Sequence, residues 1–188
     1  MLRIFISLLL VLQLSACGIN TIPTLDEQVK SSWSQVENQY QRRADLVPNL
    51  VSTVKGYAKH EQETLQAVVE ARAKVSSMQV NKDVINDPQA MAKFEQAQSQ
   101  LTGALSRLMV VVEKYPNLKA NQNFLALQSQ LEGTENRISV SRRDYIQAVQ
   151  QFNTEIRTYP GKLWHSFLYS ELKVKESYKA TSEKTALY

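Results

Sequence analysis

The chain has 188 residues, with only five glycines and five prolines. That length builds one domain with a real core and is short for two, and so few turn formers weigh against a β-rich fold, whose tight turns draw on both residues. The net charge of +4 is spread along the chain, which excludes the concentrated basic stripe of a nucleic-acid binder, so no nucleic acid is expected as a partner.

Residues 1–16, MLRIFISLLLVLQLSA, have the layout of a secretory signal: Arg3, an apolar run from Ile4 to Leu12, then small residues at Ser15 and Ala16. The run is shorter than the roughly 20 residues that span a hydrocarbon core. Cys17, the single cysteine, follows directly, and Leu14-Ser15-Ala16-Cys17 resembles a bacterial lipobox. The resemblance implies diacylglycerol on the Cys17 thiol, cleavage before it, and acylation of the new amine. Two or three acyl chains anchor a protein stably where one does so marginally. A lone cysteine in an exported protein has no internal disulfide partner. Loss of Arg3 leaves 21 basic against 18 acidic side chains. Gly18 stands where an acidic residue would resemble an inner-membrane retention signal, which favours the outer membrane, facing the periplasm, in a diderm cell. Residues 17–24 read as a lipidated tether.

From Leu25 onward the apolar period is helical. Val29, Trp33, Val36 and Tyr40 form one face. The frame runs on through Val47, Val54, Leu65, Val68 and Val75, but Pro48 interrupts it, because proline removes a backbone donor and clashes with the preceding turn. Residues 25–79 are therefore one kinked helix or two helices meeting near Asp45–Pro48. A straight helix over that span would be ~80 Å long, against ~40 Å for 88–114 and ~57 Å for 121–158. Trp33 and Tyr40 would then project beyond their partners. The lengths favour a fold back near Pro48 and four comparable helices.

After a polar connection at 81–87, Asp87-Pro88 reads as an N-cap followed by proline at the first helical position. Met91, Phe94, Leu101, Leu105, Leu108 and Val112 follow at heptad-like spacing, and Tyr115-Pro116-Asn117 ends that helix. A last long helix carries Phe124, Leu127, Leu131, Thr134, Ile138, Tyr145, Phe152 and Ile156, and stops before Pro160-Gly161. The fold class is all-α, an antiparallel helical bundle over 25–160. The tail 161–188 is amphipathic or partly disordered; its Leu163, Trp164, Phe167, Leu168, Tyr169 and Leu172 suit packing on the bundle, lying on a membrane surface, or binding a partner.

Several ordered motifs then stand out: Arg42-Arg43-Ala44-Asp45-Leu46-Val47-Pro48-Asn49-Leu50-Val51, Lys55-Gly56-Tyr57-Ala58 with His60-Glu61, Tyr115-Pro116-Asn117-Leu118-Lys119-Ala120, Thr134-Glu135-Asn136-Arg137-Ile138, and Tyr159-Pro160-Gly161. Over about residues 25–161 the chain resembles the LemA family. The resemblance implies a helical bundle on an envelope anchor. It implies no reaction, since the family has no settled biochemical activity. Many members have a membrane-spanning N-terminal helix where this chain has a lipobox, and the tail after Gly161 matches the family pattern poorly.

His60 and His165 are the only histidines and lie on different elements, which gives no metal-ligand spacing. Glu-x-x-His pairs of a di-iron bundle, phosphate loops and hydrolase motifs are all lacking, so neither a metal, a cofactor nor an enzyme active site is expected. A polar cluster of Arg43, Asp45, Asn49, Asn123 and Glu135 is the candidate site. Asp45 is placed to cap a helix starting near Pro48, and Arg43 to pair with a carboxylate such as Glu135 or with free carbonyls at the break. Convergence of the five in a deep pocket would mark a binding module or an enzyme. Local satisfaction of each would mark a non-enzymatic scaffold or modulator that works with an envelope protein partner of unknown identity and leaves the oligomeric state open.

Overall fold

The computed structural model of the protein describes residues 18–78 and 84–178. The expected signal peptide and Cys17 lie outside the described residues. Among these there is no strand, and six helices form: α1 (Thr21–Tyr57), α2 (Gln62–Ser77), α3 (Pro88–Val112), α4 (Pro116–Lys119), α5 (Gln122–Glu155) and α6 (Gly161–Leu168), with a 3-10 turn at Val84–Asn86 before α3.

The starts and stops follow local chemistry. Asp87 accepts from the Gln89 amide at 2.8 Å, and Pro88 opens α3. Asn121 accepts from the Phe124 amide at 3.0 Å to cap α5. Gly161 begins α6 hard against the end of α5; a Cβ there would fall 2.3 Å from the Glu155 carbonyl oxygen, so the turn admits only glycine.

Two expectations are corrected. Pro48 does not break the chain: α1 runs 37 residues straight through it, and the break comes at 58–61. A proline at position 48 cannot donate to the Ala44 carbonyl one turn earlier. Arg72 of α2 supplies the donor instead, its Nε standing 3.0 Å from the Ala44 oxygen. Trp33 and Tyr40 do not project either, because α5, 34 residues long, runs antiparallel along α1. The second correction concerns the tether. The helix begins at Thr21, and Ile22 is fully buried, so residues 21–24 belong to the bundle and not to a tether; Pro23 fits because the first turn leaves its amide without a partner anyway.

Three contacts fix the α1–α5 register. Asn121 donates to the Tyr57 hydroxyl, Arg43 meets Glu135, and the Trp33 and Tyr145 rings lie 5.1 Å apart. Moving 14 and then 10 residues back along α1 moves 14 and then 10 forward along α5. The register therefore passes Pro48 without a slip.

The core has two parts. One is aliphatic, with Val47, Leu50 and Val54 of α1 against Leu65, Val68, Leu101, Leu108 and Leu118. The other is aromatic: Trp33, Tyr40, Phe94, Tyr145, Phe152 and Tyr178 pack with Val29 and Ile138. Phe94 lies 5.2 Å from both Trp33 and Tyr40, edge to face, the arrangement that aromatic quadrupoles prefer.

Candidate functional site

Arg43 lies on α1 between Tyr40 of the aromatic part and Val47 of the aliphatic part. Gln98 on α3 lies between Phe94 and Leu101, and Thr134 on α5 between Leu131 and Ile138. All three are buried, so one polar layer crosses the bundle where the two apolar clusters meet.

The Arg43 guanidinium is 2 % exposed and spends four of its hydrogens inside the protein. Nη1 donates to Thr102 Oγ1 at 2.8 Å and to Glu135 Oε2 at 3.0 Å. Nη2 donates to Gln98 Oε1 at 2.7 Å and to the Gln98 carbonyl at 3.2 Å. The charge also lies 5.0 Å from the Tyr40 ring centre, within cation–π range. Only Nε lacks a partner. A buried charge is tolerated only when so surrounded.

The rest of the expected cluster does not converge there. Glu135 reaches Arg43 from a half-exposed position. Asp45 is exposed in the middle of α1 and accepts from Gln41 Nε2 at 2.8 Å, so it caps nothing. Asn49 is exposed on α1, where its carbonyl accepts from Thr53. Asn123 is exposed near the start of α5. A shallow open groove of about 190 Å³ between α3 and α5 reaches Arg43, lined also by Thr102, Leu105, Met109, Leu131 and Glu135.

A second polar centre escaped the sequence reading. Asp26 shares the buried face of α1 with Ile22, Val29 and Trp33, and position alone marks a carboxylate on an apolar stripe as needing a partner. That partner is Lys175 of the tail, 2.8 Å away, with both side chains 4 % exposed. Lys30 reaches the other carboxylate oxygen, also at 2.8 Å. Burial opposes ionisation of Asp26, but the Lys175 and Lys30 ammonium groups, each 2.8 Å from a carboxylate oxygen, outweigh it and hold the carboxyl below its usual range. Lys175 also donates to Asn86 Oδ1 at 3.0 Å, and its backbone exchanges two 2.9 Å bonds with the Asn153 amide.

Residues 169–178 thus form an extended strap across the aromatic end of the bundle. The Tyr145 hydroxyl donates to the Glu176 carbonyl, and the Glu176 amide to that of Ile85. Tyr178 lies beneath the Arg142 guanidinium, 4.2 Å from it, and 5.8 Å from Tyr145. Burial pushes the Tyr145 and Tyr178 hydroxyls far above the usual phenol range, so both stay neutral.

Among the described residues no three His, Cys, Asp or Glu side chains are grouped to hold a metal. Nor is any described helix long and apolar enough to cross a membrane. His60 is exposed, and His165 Nε2 meets the Leu172 carbonyl at 2.8 Å.

What the geometry defines is an all-helical bundle whose interior charges are spent on its own packing. Its sequence matches the model of the LemA family over residues 32–187, and the chain belongs to that family. The match extends through the tail, which corrects the expectation that the family pattern ends near Gly161; the strap is part of the packed domain, and its residues are constrained by Asp26 and Trp33. Among curated proteins, the chain is similar to Protein LemA of Metamycoplasma hominis, 25 % identical over 132 residues that cover 70 % of this chain and 56 % of the relative. It is also similar to Magnetosome proteins MamQ 1 and MamQ 2 of Paramagnetospirillum magneticum, each 27 % identical over 157 residues, covering 75 % of this chain and 58 % of the relative. The chain therefore spans little more than half the length of these relatives.

Proposed function

We propose that the protein is a lipid-anchored envelope component of the LemA type that presents a rigid helical body to an envelope protein partner, as a scaffold or modulator and without catalysing a reaction. The observation that carries this reading is the fate of its interior charges. Arg43 is ringed by Thr102, Gln98 and Glu135, and Asp26 by Lys175 and Lys30. Groups so engaged fix helix geometry and are not free to polarise a substrate. The names of the curated relatives specify no reaction. The Leu14-Ser15-Ala16-Cys17 motif supplies the anchor, and Gly18 favours the outer membrane.

Mass spectrometry of the mature N-terminus tests the anchor: Cys17 is expected to carry acyl mass that Cys17→Ser abolishes, and a free thiol overturns the reading. Crosslinking from intact membranes, followed by capture of the full chain, tests the scaffold: one discrete crosslinked species supports it, and a body that crosslinks to no protein sinks it.

The groove at Arg43 favours a second reading, a small-molecule or peptide binding module between α3 and α5. Saturable ligand binding that Arg43→Leu abolishes, in a variant still folded, would replace the first reading with the second.

A further inference from the structure

Most large apolar side chains on the described surface stand singly, as they do on ordinary soluble proteins. One stretch differs. Of eleven exposed large hydrophobic residues, four fall within the ten positions 159–168: Tyr159, Leu163, Phe167 and Leu168. Phe167 is 78 % exposed, the most of any, and Tyr159 72 %. Leu163 and Phe167 are one turn apart on α6 and share a face. Tyr159 precedes Leu163 by the same interval. The side of α6 that carries Trp164 and His165 is committed to the fold, since Trp164 packs on the aromatic core and His165 holds the Leu172 carbonyl. The helix thus faces outward with its apolar side.

Gly18, the first described residue, lies at the same corner of the molecule. A Cβ on Gly18 would stand 3.9 Å from Trp164 Nε1 and 4.0 Å from the Pro160 ring. Cys17 is one peptide unit further, about 3.8 Å along the Cα trace. Helix α1 starts three residues after Gly18, with Ile22 already buried, so little free chain separates the body from residue 17. Lys162 is exposed on α6, and its Nζ lies 5.9 Å from the Tyr159 ring centre. A basic residue beside aromatic and aliphatic ones suits an anionic bilayer surface, and tyrosine is favoured at the headgroup level.

We propose that the exposed apolar patch made by the Leu163–Phe167 face of α6, with Tyr159 before the helix and Leu168 at its end, seats in the headgroup region of the bilayer that holds the N-terminus, so that the bundle stands on the membrane by two contacts, the acyl chains on Cys17 and this patch. This rests on the anchored reading above. The covalent anchor fixes the membrane, and α6 fixes the orientation of the body upon it. Interfacial helices of this kind sink about 5–10 Å into the headgroup and acyl boundary.

The test uses the full, lipidated chain in vesicles of phosphatidylethanolamine and phosphatidylglycerol. A cysteine is introduced by Phe167→Cys, or as a control by Asn123→Cys at the opposite end of α5, and is labelled with an environment-sensitive fluorophore. A quencher attached to lipid near the headgroup is expected to extinguish most emission from position 167 and none from 123, while aqueous iodide does the reverse. Equal quenching of both positions by iodide overturns the proposal. A label at 167 shielded from both quenchers also overturns it, in favour of a protein or a second copy on that face. The mass of Cys17 in the same preparation separates the two claims: lipid-quenched 167 with unacylated Cys17 keeps the docking face and removes the anchor, whereas acylated Cys17 with a wet 167 keeps the anchor and removes the docking face.

Discussion

At the corner where α1 turns into α2, the core is built from valine, leucine and alanine around the one buried ring of Phe124, and is closed by neighbours in sequence: the 58–61 turn, α4, and the start of α5. Its polar groups sit at the rim, where the Tyr115 hydroxyl donates to Glu61 and Asn121 to the Tyr57 hydroxyl. At the opposite end the core is aromatic, and a strap from the far end of the chain closes it, carrying a lysine inward to a buried aspartate. The Arg43 layer separates the two. Short-range closure needs no interior charge. Closure by an irregular segment needs interior polar groups, because extended backbone lying on a core must find partners for its amides and carbonyls, and Asn153, Tyr145 and Ile85 provide them.

The largest effect is expected at the aromatic end. Asp26→Ala strands the Lys175 ammonium, 4 % exposed, with Asn86 Oδ1 as its one remaining side-chain acceptor. Removing one partner of a buried pair costs about 3–5 kcal/mol. Lys175→Met should cost less, because Asp26 keeps Lys30 and the methionine fills the same path. Urea unfolding of the two variants measures the asymmetry. Equal losses would mean that Lys175 relaxes to water and that the strap is not locked by charge.

Next comes the polar layer between the halves. Arg43→Leu leaves the Gln98 side-chain oxygen without its donor, and an unsatisfied buried acceptor costs about 1–3 kcal/mol. Glu135→Gln should cost less than that, since Glu135 is half exposed and Arg43 retains Thr102 and Gln98. A Glu135 loss equal to that of Arg43 would place the energy in the ion pair and not in the buried amide.

The difference between the halves also explains what the sequence made legible. Helix α3 was readable because Asp87-Pro88 and the apolar period agree, and the apolar period with the Pro160-Gly161 stop marked α5. The site of the first break was not. Pro48 carries a strong local signal, but Arg72, 28 residues after the Ala44 carbonyl that it serves, removes its main penalty, and no local pattern encodes a donor delivered from another helix. Likewise the need of Arg43 for a partner was legible from a charge beside an apolar face, while Asp45, Asn49 and Asn123 were grouped with it by motif and proved to be surface residues. The strap was least visible, because extended chain has no helical period, and Lys175 looks like any tail lysine until Asp26 is opposite it.

Acid should separate the halves. Asp26 is held below the usual carboxylate range by its lysines, so the stability it contributes is present above its unfolded pKa of about 3.9 and is lost as pH falls through the lowered folded value. Near-UV circular dichroism, dominated by Trp33, Tyr145 and Tyr178 packing, is expected to fade in acid before the far-UV helix signal does. In Asp26→Asn that limb should be absent. Simultaneous loss of both signals in the parent chain would show one cooperative unit and dissolve the distinction between the ends.

The smallest effect concerns how α1 stays whole between the halves. Arg72 Nε donates to the Ala44 carbonyl, the acceptor that a residue at 48 would otherwise satisfy. Arg72→Met deprives that carbonyl of its protein donor, but Pro48 is exposed, so water has partial access and the cost should be about 1 kcal/mol. Pro48→Ala restores a backbone N–H aimed at the same oxygen and relieves the ring clash. In that background Arg72→Met should cost distinctly less, and the double-mutant cycle should give a coupling of at least about 0.5 kcal/mol. Thermal unfolding of the four proteins measures it. Additive losses would mean that Arg72 acts only by packing its stem between α1 and α2, and that the helix crosses Pro48 for reasons that lie in the α1–α5 register alone.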